Sequence, residues 1–127
     1  MGLMDDLRVV LDRETGVVTA FLYGSEARGT ARSDSDVDVA VVLADPSWEA
    51  RADLETRLCL ALGRDVQVVD FERIPADLAF RVIRDGVLLV DRDRARRVAL
   101  TVRHWKVYWD MTPTWRLIRR LPAGMYP

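Results

Sequence analysis

The sequence predicts the α/β (α+β) class: a small mixed β-sheet with helices packed mainly on one face. Short runs rich in β-branched and aromatic residues alternate with longer stretches whose apolar residues recur at helical spacing. The chain has 127 residues, of which 50% are hydrophobic and 31% are charged, an ordinary globular balance. We therefore expect one domain over residues 1–127, with 94–127 as a C-terminal helical extension.

Glycine and proline residues set most of the predicted element boundaries. Gly24 and Ser25 form a turn after a β-rich run. Asp45 is predicted to cap a helix whose first position is Pro46, and Pro113 is expected to break or kink the last helix. The predicted order is helix 4–14, strands 17–23 and 36–42, helix 46–62, strand 65–71, helix 75–86, strand 87–90, a helix from 94 and a last helical turn at 115–121.

Composition excludes several classes of protein. The net charge is −1, with 19 basic and 20 acidic residues, so the basic excess of a nucleic-acid-binding protein is missing. The one cysteine, Cys59, rules out a disulfide framework and a thiolate metal site and favours the reducing cytosol. The first residues lack the pattern of a signal peptide, and no run approaches the roughly 18 apolar residues of a membrane span. We expect a cytoplasmic protein with no membrane partner.

Acidic and apolar residues alternate at the start of the second predicted strand. Because residues two apart in a strand share a face, Asp36 and Asp38 project side by side, and Val37 and Val39 point to the opposite layer. Burying two such carboxylates unpaired would cost on the order of several kcal/mol, because each disfavours the ionised form of the other. A divalent cation removes this cost, which makes Asp36 and Asp38 candidate metal ligands.

The acidic run has two other interpretations, a solvated loop and a calcium site. Asp34, Asp36 and Asp38 are consistent with a solvated acidic loop. A helix–loop calcium site requires Gly at its sixth position and Glu at its twelfth, where this chain has Val39 and Asp45. The calcium interpretation is therefore excluded.

The turn before the acidic run has the features of a phosphate site. Gly24 lets the backbone approach a ligand closely, and Ser25 offers a hydroxyl and a backbone N–H. A helix that begins after the turn would attract phosphate at its N-terminus, and Arg28 would add a guanidinium. A phosphate site that faces two metal-binding carboxylates is what phosphoryl transfer with two cations about 3.5–4 Å apart requires.

These residues resemble the signature of the polymerase-β-like nucleotidyltransferases. The form of the motif is similar to that of the minimal nucleotidyltransferase (MNT) proteins, which are stand-alone domains of about this size. The resemblance covers nearly the whole chain, with its specificity concentrated in residues 24–38. The matching segments are Gly24-Ser25, Ala27-Arg28-Gly29, Ser35-Asp36-Val37-Asp38, and the stretches 66–71, 74–80, 84–89 and 108–113.

The resemblance implies a reaction, two cofactors and a partner. MNT proteins typically act as antitoxins that use ATP and magnesium to transfer AMP to a tyrosine of a helical toxin of the HEPT class. Carried over by position, Gly24 and Ser25 hold the triphosphate, with Arg28 as a further phosphate contact. Asp36 and Asp38 then serve as the catalytic ligands of two Mg²⁺ ions. The implied partners are a cognate HEPT-type toxin, in a hetero-oligomer, and ATP.

One position departs from the family pattern. The family usually has a third carboxylate on the third strand, and alignment places Gln67 there. An amide binds magnesium poorly and cannot act as a base at pH 7. Asp65, two residues earlier, is a possible substitute, whereas Asp70 lies on the opposite face. Two other functions stay open: an antitoxin that neutralises by binding alone, and a nucleotidyltransferase that acts on a small molecule, for which the chain after residue 93 is short.

The last predicted helix contains the remaining chemically notable residues. His104 is the one histidine of the chain and is expected to be a surface residue. Val98, Val102, Trp105 and Trp109 recur at helical spacing on one stripe. Such a stripe is more typical of a core or of a protein interface than of RNA stacking. We expect it to contact the toxin.

Overall fold

The computed structural model of the chain describes residues 2–30 and 35–119. Helices and strands alternate through these residues almost as predicted, and β1 has the predicted bounds. No helix of the described residues is both long and apolar enough to cross a bilayer. The elements are α1 (Leu3–Asp12), β1 (Val17–Tyr23), α2 (Ser25–Arg28), β2 (Val37–Leu43), α3 (Trp48–Leu62), β3 (Val66–Asp70), α4 (Ala76–Asp85), β4 (Val87–Asp91) and α5 (Arg94–Arg119).

The four strands form one mixed sheet in the order β3-β2-β1-β4. β1 pairs antiparallel with both β2 and β4, and β2 pairs parallel with β3. The parallel pair is joined by α3, which is the crossover connection that parallel strands need. The predicted mixed sheet and the α/β class are confirmed.

Helices cover both faces of the sheet, so the prediction that they pack mainly on one face is wrong. The central strands are apolar at consecutive positions: residues 39–42 of β2 are all buried. Both faces of such strands must be shielded from water. Leu7, Leu11, Leu54 and Leu58 of α1 and α3 pack on one face, whereas Ala79, Val82 and Leu100 of α4 and α5 pack on the other.

Most predicted bounds differ from the structure by one or two residues, and hydrogen bonds explain the differences at the starts of β2 and α3. Asp36 precedes β2 because the first ladder hydrogen bond is donated by Val37 N–H to the Asp65 carbonyl, at 2.9 Å. α3 begins after Ser47, whose hydroxyl accepts from Ala50 N–H at 3.1 Å, and the Asp45 carboxylate instead accepts from Ser47 N–H at 3.0 Å.

The predicted break at Pro113 is also wrong, because α5 continues to Arg119. Proline has a helical φ and removes one hydrogen bond, so a helix can continue past it. The predicted final turn at 115–121 is helical as far as Arg119, and residues 120 and 121 lie outside the described residues.

His104 is buried, contrary to the prediction that it is a surface residue. Its side chain is 5% exposed and packs edge-on against the ring of Phe71, with the centroids 5.0 Å apart. His104 Nε2 lies 2.6 Å from the Phe71 carbonyl oxygen. Since a carbonyl only accepts, Nε2 donates this bond. The buried stripe of α5 contains Leu100 and His104, one turn apart, and the stripe that begins at Val98 faces outward.

Burial lowers the pKa of His104 below its ordinary value of 6.5, because the charged imidazolium is poorly solvated there. The folded protein therefore holds this proton less tightly than the unfolded chain. The stability that His104 contributes is fully present above about pH 6.5 and is lost as the pH falls toward the folded-state pKa.

We expect His104→Gln to reduce the pH dependence of stability. The amide can still donate to the Phe71 carbonyl but does not titrate. Between about pH 7.5 and 5.5, urea unfolding should show wild type losing more stability than the variant, with a difference of at most about 1.4 kcal/mol per pH unit. Parallel pH curves for the two proteins would contradict a proton-linked role for His104.

Candidate active site

Asp38 lies between two neighbouring strands at one end of the sheet. Its partners in the strand register are Tyr23 at the end of β1 and Gln67 on β3. Residues at these paired positions share a face, which is the face that α4 and α5 cover. Val37 and Val39 are fully buried on the opposite face, as predicted. Asp38 is therefore partly buried and held by strand pairing on both sides.

Gly24 lies directly beside the Asp38 carboxylate. It follows the last residue of β1 and caps α2 with φ 74° and ψ −153°, a conformation that favours glycine. A Cβ added at Gly24 would overlap Asp38 Oδ2. The turn and the acidic strand, 14 residues apart in sequence, are thus brought into contact by the pairing of β1 with β2.

α2 is a single turn of four residues, Ser25–Arg28, which Gly29 ends in the left-handed conformation. So short a helix has almost no macrodipole, but its first N–H groups have no helical partners. Ser25 lies at this end of α2, and Arg28 is exposed at the other. The predicted helix after the turn exists, and its contribution to a phosphate site is a set of N–H donors.

The cluster carries an excess of negative charge. Burial raises the pKa of Asp38 above its ordinary 3.8, and the charge of Asp36 raises it further, while Arg28 acts in the opposite direction. Burial and then the charge of Asp38 raise the pKa of the neighbouring Tyr23 to about 12. The repulsion between Asp36 and Asp38 indicates that an added cation would be stabilised beside them.

The donor set fits magnesium bound together with a nucleotide. Asp36 and Asp38 offer carboxylate oxygens, the ligands that Mg²⁺ prefers. Within residues 2–30 and 35–119, no three His, Cys, Asp or Glu side chains are grouped so as to hold a metal. Mg²⁺ at phosphate-transfer sites is commonly bound by one or two carboxylates, with phosphate and water oxygens completing the coordination. Two carboxylates at the mouth of a phosphate-binding turn satisfy this requirement.

Gln67 occupies the strand position next to Asp38, where the resemblance described above implies a carboxylate. Its Cα is paired with that of Asp38 in the parallel ladder, and its side chain is exposed. Asp65 lies before β3 and is exposed, and its carbonyl binds Val37 N–H. Asp65 does not join Asp36 and Asp38 in a group of three ligands within the described part of the chain.

Two residues that border the site were not identified from the sequence. Tyr23 is the last residue of an apolar strand, and its position beside Asp38 follows from the antiparallel register. Arg64 bonds to Glu26 and to the Ser35 carbonyl oxygen from a loop that is distant in sequence. A register prediction would have found Tyr23, whereas nothing in the local sequence around Arg64 indicates its contacts.

We expect Gly24→Ala to lower the free energy of unfolding by about 3 kcal/mol, because the methyl group meets Asp38 as well as an unfavourable φ. Gly29→Ala is the matched control: its φ is 71°, but nothing lies within 4 Å of the added Cβ. The control should lose about 1 kcal/mol in urea unfolding. Equal losses in the two variants would show that the contact with Asp38 has no energetic consequence.

Comparisons with known proteins identify the family of this chain. The profile of the family described as polymerase beta, nucleotidyltransferase matches residues 5–95. A curated relative, protein adenylyltransferase MntA of Shewanella oneidensis, is 32% identical over 81 residues, which are 63% of this chain and 58% of that protein. The alignment thus spans less than two thirds of the relative's length.

Solved structures share the fold. A chain from a crystal structure of a toxin–antitoxin pair with AMP-PNP superposes with a TM-score of 0.75 and 25% identity, over 92% of this chain and 95% of that one. A proposed minimal nucleotidyltransferase is 30% identical, with a TM-score of 0.55, over 65% of this chain and 85% of that one. The sequence profile, the mixed sheet and the glycine turn against Asp38 agree: this chain belongs to the polymerase β nucleotidyltransferase family.

Proposed function

We propose that this chain is the antitoxin of a toxin–antitoxin pair and transfers AMP from ATP to a tyrosine hydroxyl of its toxin, a helical protein of the HEPT class. The observation that carries the proposal is the contact between the Gly24 turn and Asp38, because a turn able to accept a phosphate then lies beside Asp38 and close to the charge of Asp36. The similarity to a protein adenylyltransferase and to a chain of a toxin–antitoxin pair with AMP-PNP supports it.

In the proposed reaction the phenolic oxygen of the toxin attacks the α-phosphorus of ATP. A bond forms between that oxygen and the α-phosphorus, and the bond from the α-phosphorus to the oxygen bridging to the β-phosphate breaks. The products are an AMP-tyrosine ester and pyrophosphate, and the phenolic proton passes to solvent. The proton needs no protein base, which agrees with the amide of Gln67 beside Asp38.

The residues of the site have separate roles in this scheme. The backbone at Gly24 and the N–H and hydroxyl of Ser25 bind the triphosphate, and Arg28 adds a charge-assisted contact. Asp36 and Asp38 would hold two Mg²⁺ ions, which when bound neutralise the charge on the phosphate oxygens and the leaving pyrophosphate. Because the reaction consumes ATP and the chain has one cysteine, we place the protein in the cytosol.

A second candidate function is neutralisation by binding alone. The observation that favours it is Gln67, an amide paired with Asp38 at the position where the resemblance implies a carboxylate. Neutralisation by binding alone requires a surface that contacts the toxin, and it does not require Asp36 and Asp38.

The outward-facing stripe of α5 is the surface we propose for the toxin. Val98, Val102, Trp105 and Trp109 are between 43% and 54% exposed, which is unusual for large apolar side chains on one stripe. Removing the chain after residue 93 would also remove Leu100 and His104, which cover the core at Phe71. Substitution of the stripe is therefore the cleaner test.

To test transfer, the purified chain is incubated with Mg²⁺, ATP labelled on its α-phosphate, and the product of the neighbouring gene. We expect label on the partner, and a loss of at least about a hundredfold in Asp36→Asn and Asp38→Asn. Asp53→Asn, an exposed position on α3, is the control and should behave as wild type. Neutralisation that persists in both acidic variants without label would select the binding-only function.

Asp38→Asn should also raise the free energy of unfolding when Mg²⁺ is absent at neutral pH. The folded-state pKa of Asp38 is raised, so its protonated form stabilises the fold at low pH. This stabilisation is lost as the pH rises from 3.8 through the folded-state pKa, and at pH 7 the ionised group destabilises the fold. The neutral amide removes this penalty. Added Mg²⁺ should raise the melting temperature of wild type and not of the variant. A variant less stable than wild type in EDTA would contradict this account of Asp38.

Trp105→Ala should weaken the complex with the toxin about tenfold or more, as expected for a central aromatic residue of an interface. Trp48→Ala is the matched control, because Trp48 is the first residue of α3 and is 68% exposed. Affinities of the two variants are compared by calorimetry, with circular dichroism as a check on folding. If only Trp48→Ala weakens binding, the docking surface lies elsewhere.

A further inference from the structure

The candidate site consists of two halves on different segments of the chain. One half is the turn at Gly24 with α2, and the other is Asp36 and the start of β2. The register of β1 with β2 fixes Asp38 through its pairing with Tyr23. That pairing ends at Asp38, so the position of Asp36 relative to α2 depends on other contacts.

Arg64 contacts both halves from a third segment. It follows Gly63, which ends α3 in the left-handed conformation with φ 64° and turns the chain toward β3. Arg64 Nη2 forms an ion pair with Glu26 Oε1 on α2 and also donates to the Ser35 carbonyl oxygen at 2.9 Å. One guanidinium nitrogen therefore joins α2 to the residue that precedes Asp36.

The next residue of the same loop holds the other side of Asp36. The Asp65 carbonyl accepts from Val37 N–H at 2.9 Å. Asp36 is thus flanked by Ser35 and Val37, and both are bonded to the loop between α3 and β3. The side chain of Asp36 is exposed, and these two bonds hold the backbone from which it projects.

We propose that Arg64 is a positioning residue, which sets the distance between the phosphate-binding turn and the Asp36 carboxylate. The inference deepens the proposed nucleotidyl transfer and rests on it. Arg64 acts through Glu26 and Ser35, and both of its bonds are partly buried, where charge-assisted hydrogen bonds hold a defined geometry.

A purely structural ion pair would behave differently. If the pair were purely structural, Arg64→Gln would lower the unfolding midpoint, because Glu26 would be left partly buried without its partner, and kcat of the folded protein would be unchanged. A shift of about 1 Å between reacting groups costs up to about a hundredfold in rate. The two roles are therefore separated by comparing rate with stability in the same variant.

The test uses Arg64→Gln, Arg64→Lys and a matched control, Arg57→Gln. Arg57 lies on α3 and forms its own ion pair with Glu14 at 2.7 Å, away from the acidic residues of the site. We expect Arg64→Gln to lower kcat for AMP transfer by roughly ten- to a hundredfold. Arg64→Lys keeps the charge and hydrogen-bond donors and should recover part of the lost kcat. Arg57→Gln should be as active as wild type.

A second readout does not depend on activity. Hydrogen–deuterium exchange of the nucleotide-free chain should be faster in peptides covering residues 24–29 and 35–38 in Arg64→Gln, and unchanged there in Arg57→Gln. If exchange is faster in Arg64→Gln but wild type does not transfer AMP, the positioning role stands and the proposed function is rejected. If wild type transfers AMP and Arg64→Gln has the same kcat and the same exchange rates, the positioning role is wrong.

Discussion

The approach of the Gly24 backbone to the Asp38 carboxylate is the constraint on which the site depends. It requires a residue without Cβ and with positive φ at position 24, directly after the last residue of β1. It also requires β1 and β2 to pair in the register that sets Tyr23 opposite Asp38. The fold of the sheet and the chemistry of the site are thus linked by one contact, and a ligand bound at the turn lies beside the carboxylates.

The electrostatics of the site follow from this contact. The folded chain holds Asp38 in a partly buried position next to Asp36, which raises the pKa of Asp38, and Arg28 offsets only part of the repulsion. Natural proteins keep such destabilising arrangements mainly at functional sites. A bound divalent cation would offset the excess of negative charge in the cluster. If a metal binds here, the amide of Gln67 beside Asp38 leaves it with two protein carboxylates and avoids the negative charge of a third.

Local sequence patterns predicted the strands, the glycine turn and the acidic alternation because each depends on neighbours in the chain. The bounds of β1 and the burial of Val37 and Val39 belong to this class. Features that depend on distant contacts were mispredicted or not identified. Burial of His104 depends on Phe71, 33 residues away, and the contact of Arg64 with Glu26 spans 38 residues. The second layer of helices was mispredicted although the continuous apolar run at residues 39–42 of β2 indicated it, since such a strand is buried on both faces.

The most direct test of the central claim is diffraction from crystals of this chain grown with Mn²⁺, in place of Mg²⁺, and a non-hydrolysable ATP analogue. Manganese is located by its anomalous scattering, and it accepts the same oxygen ligands as magnesium. The account predicts a manganese peak between the Asp36 and Asp38 carboxylates, with the analogue's phosphates against the backbone at Gly24 and Ser25. Manganese or phosphates bound elsewhere on the chain would contradict it.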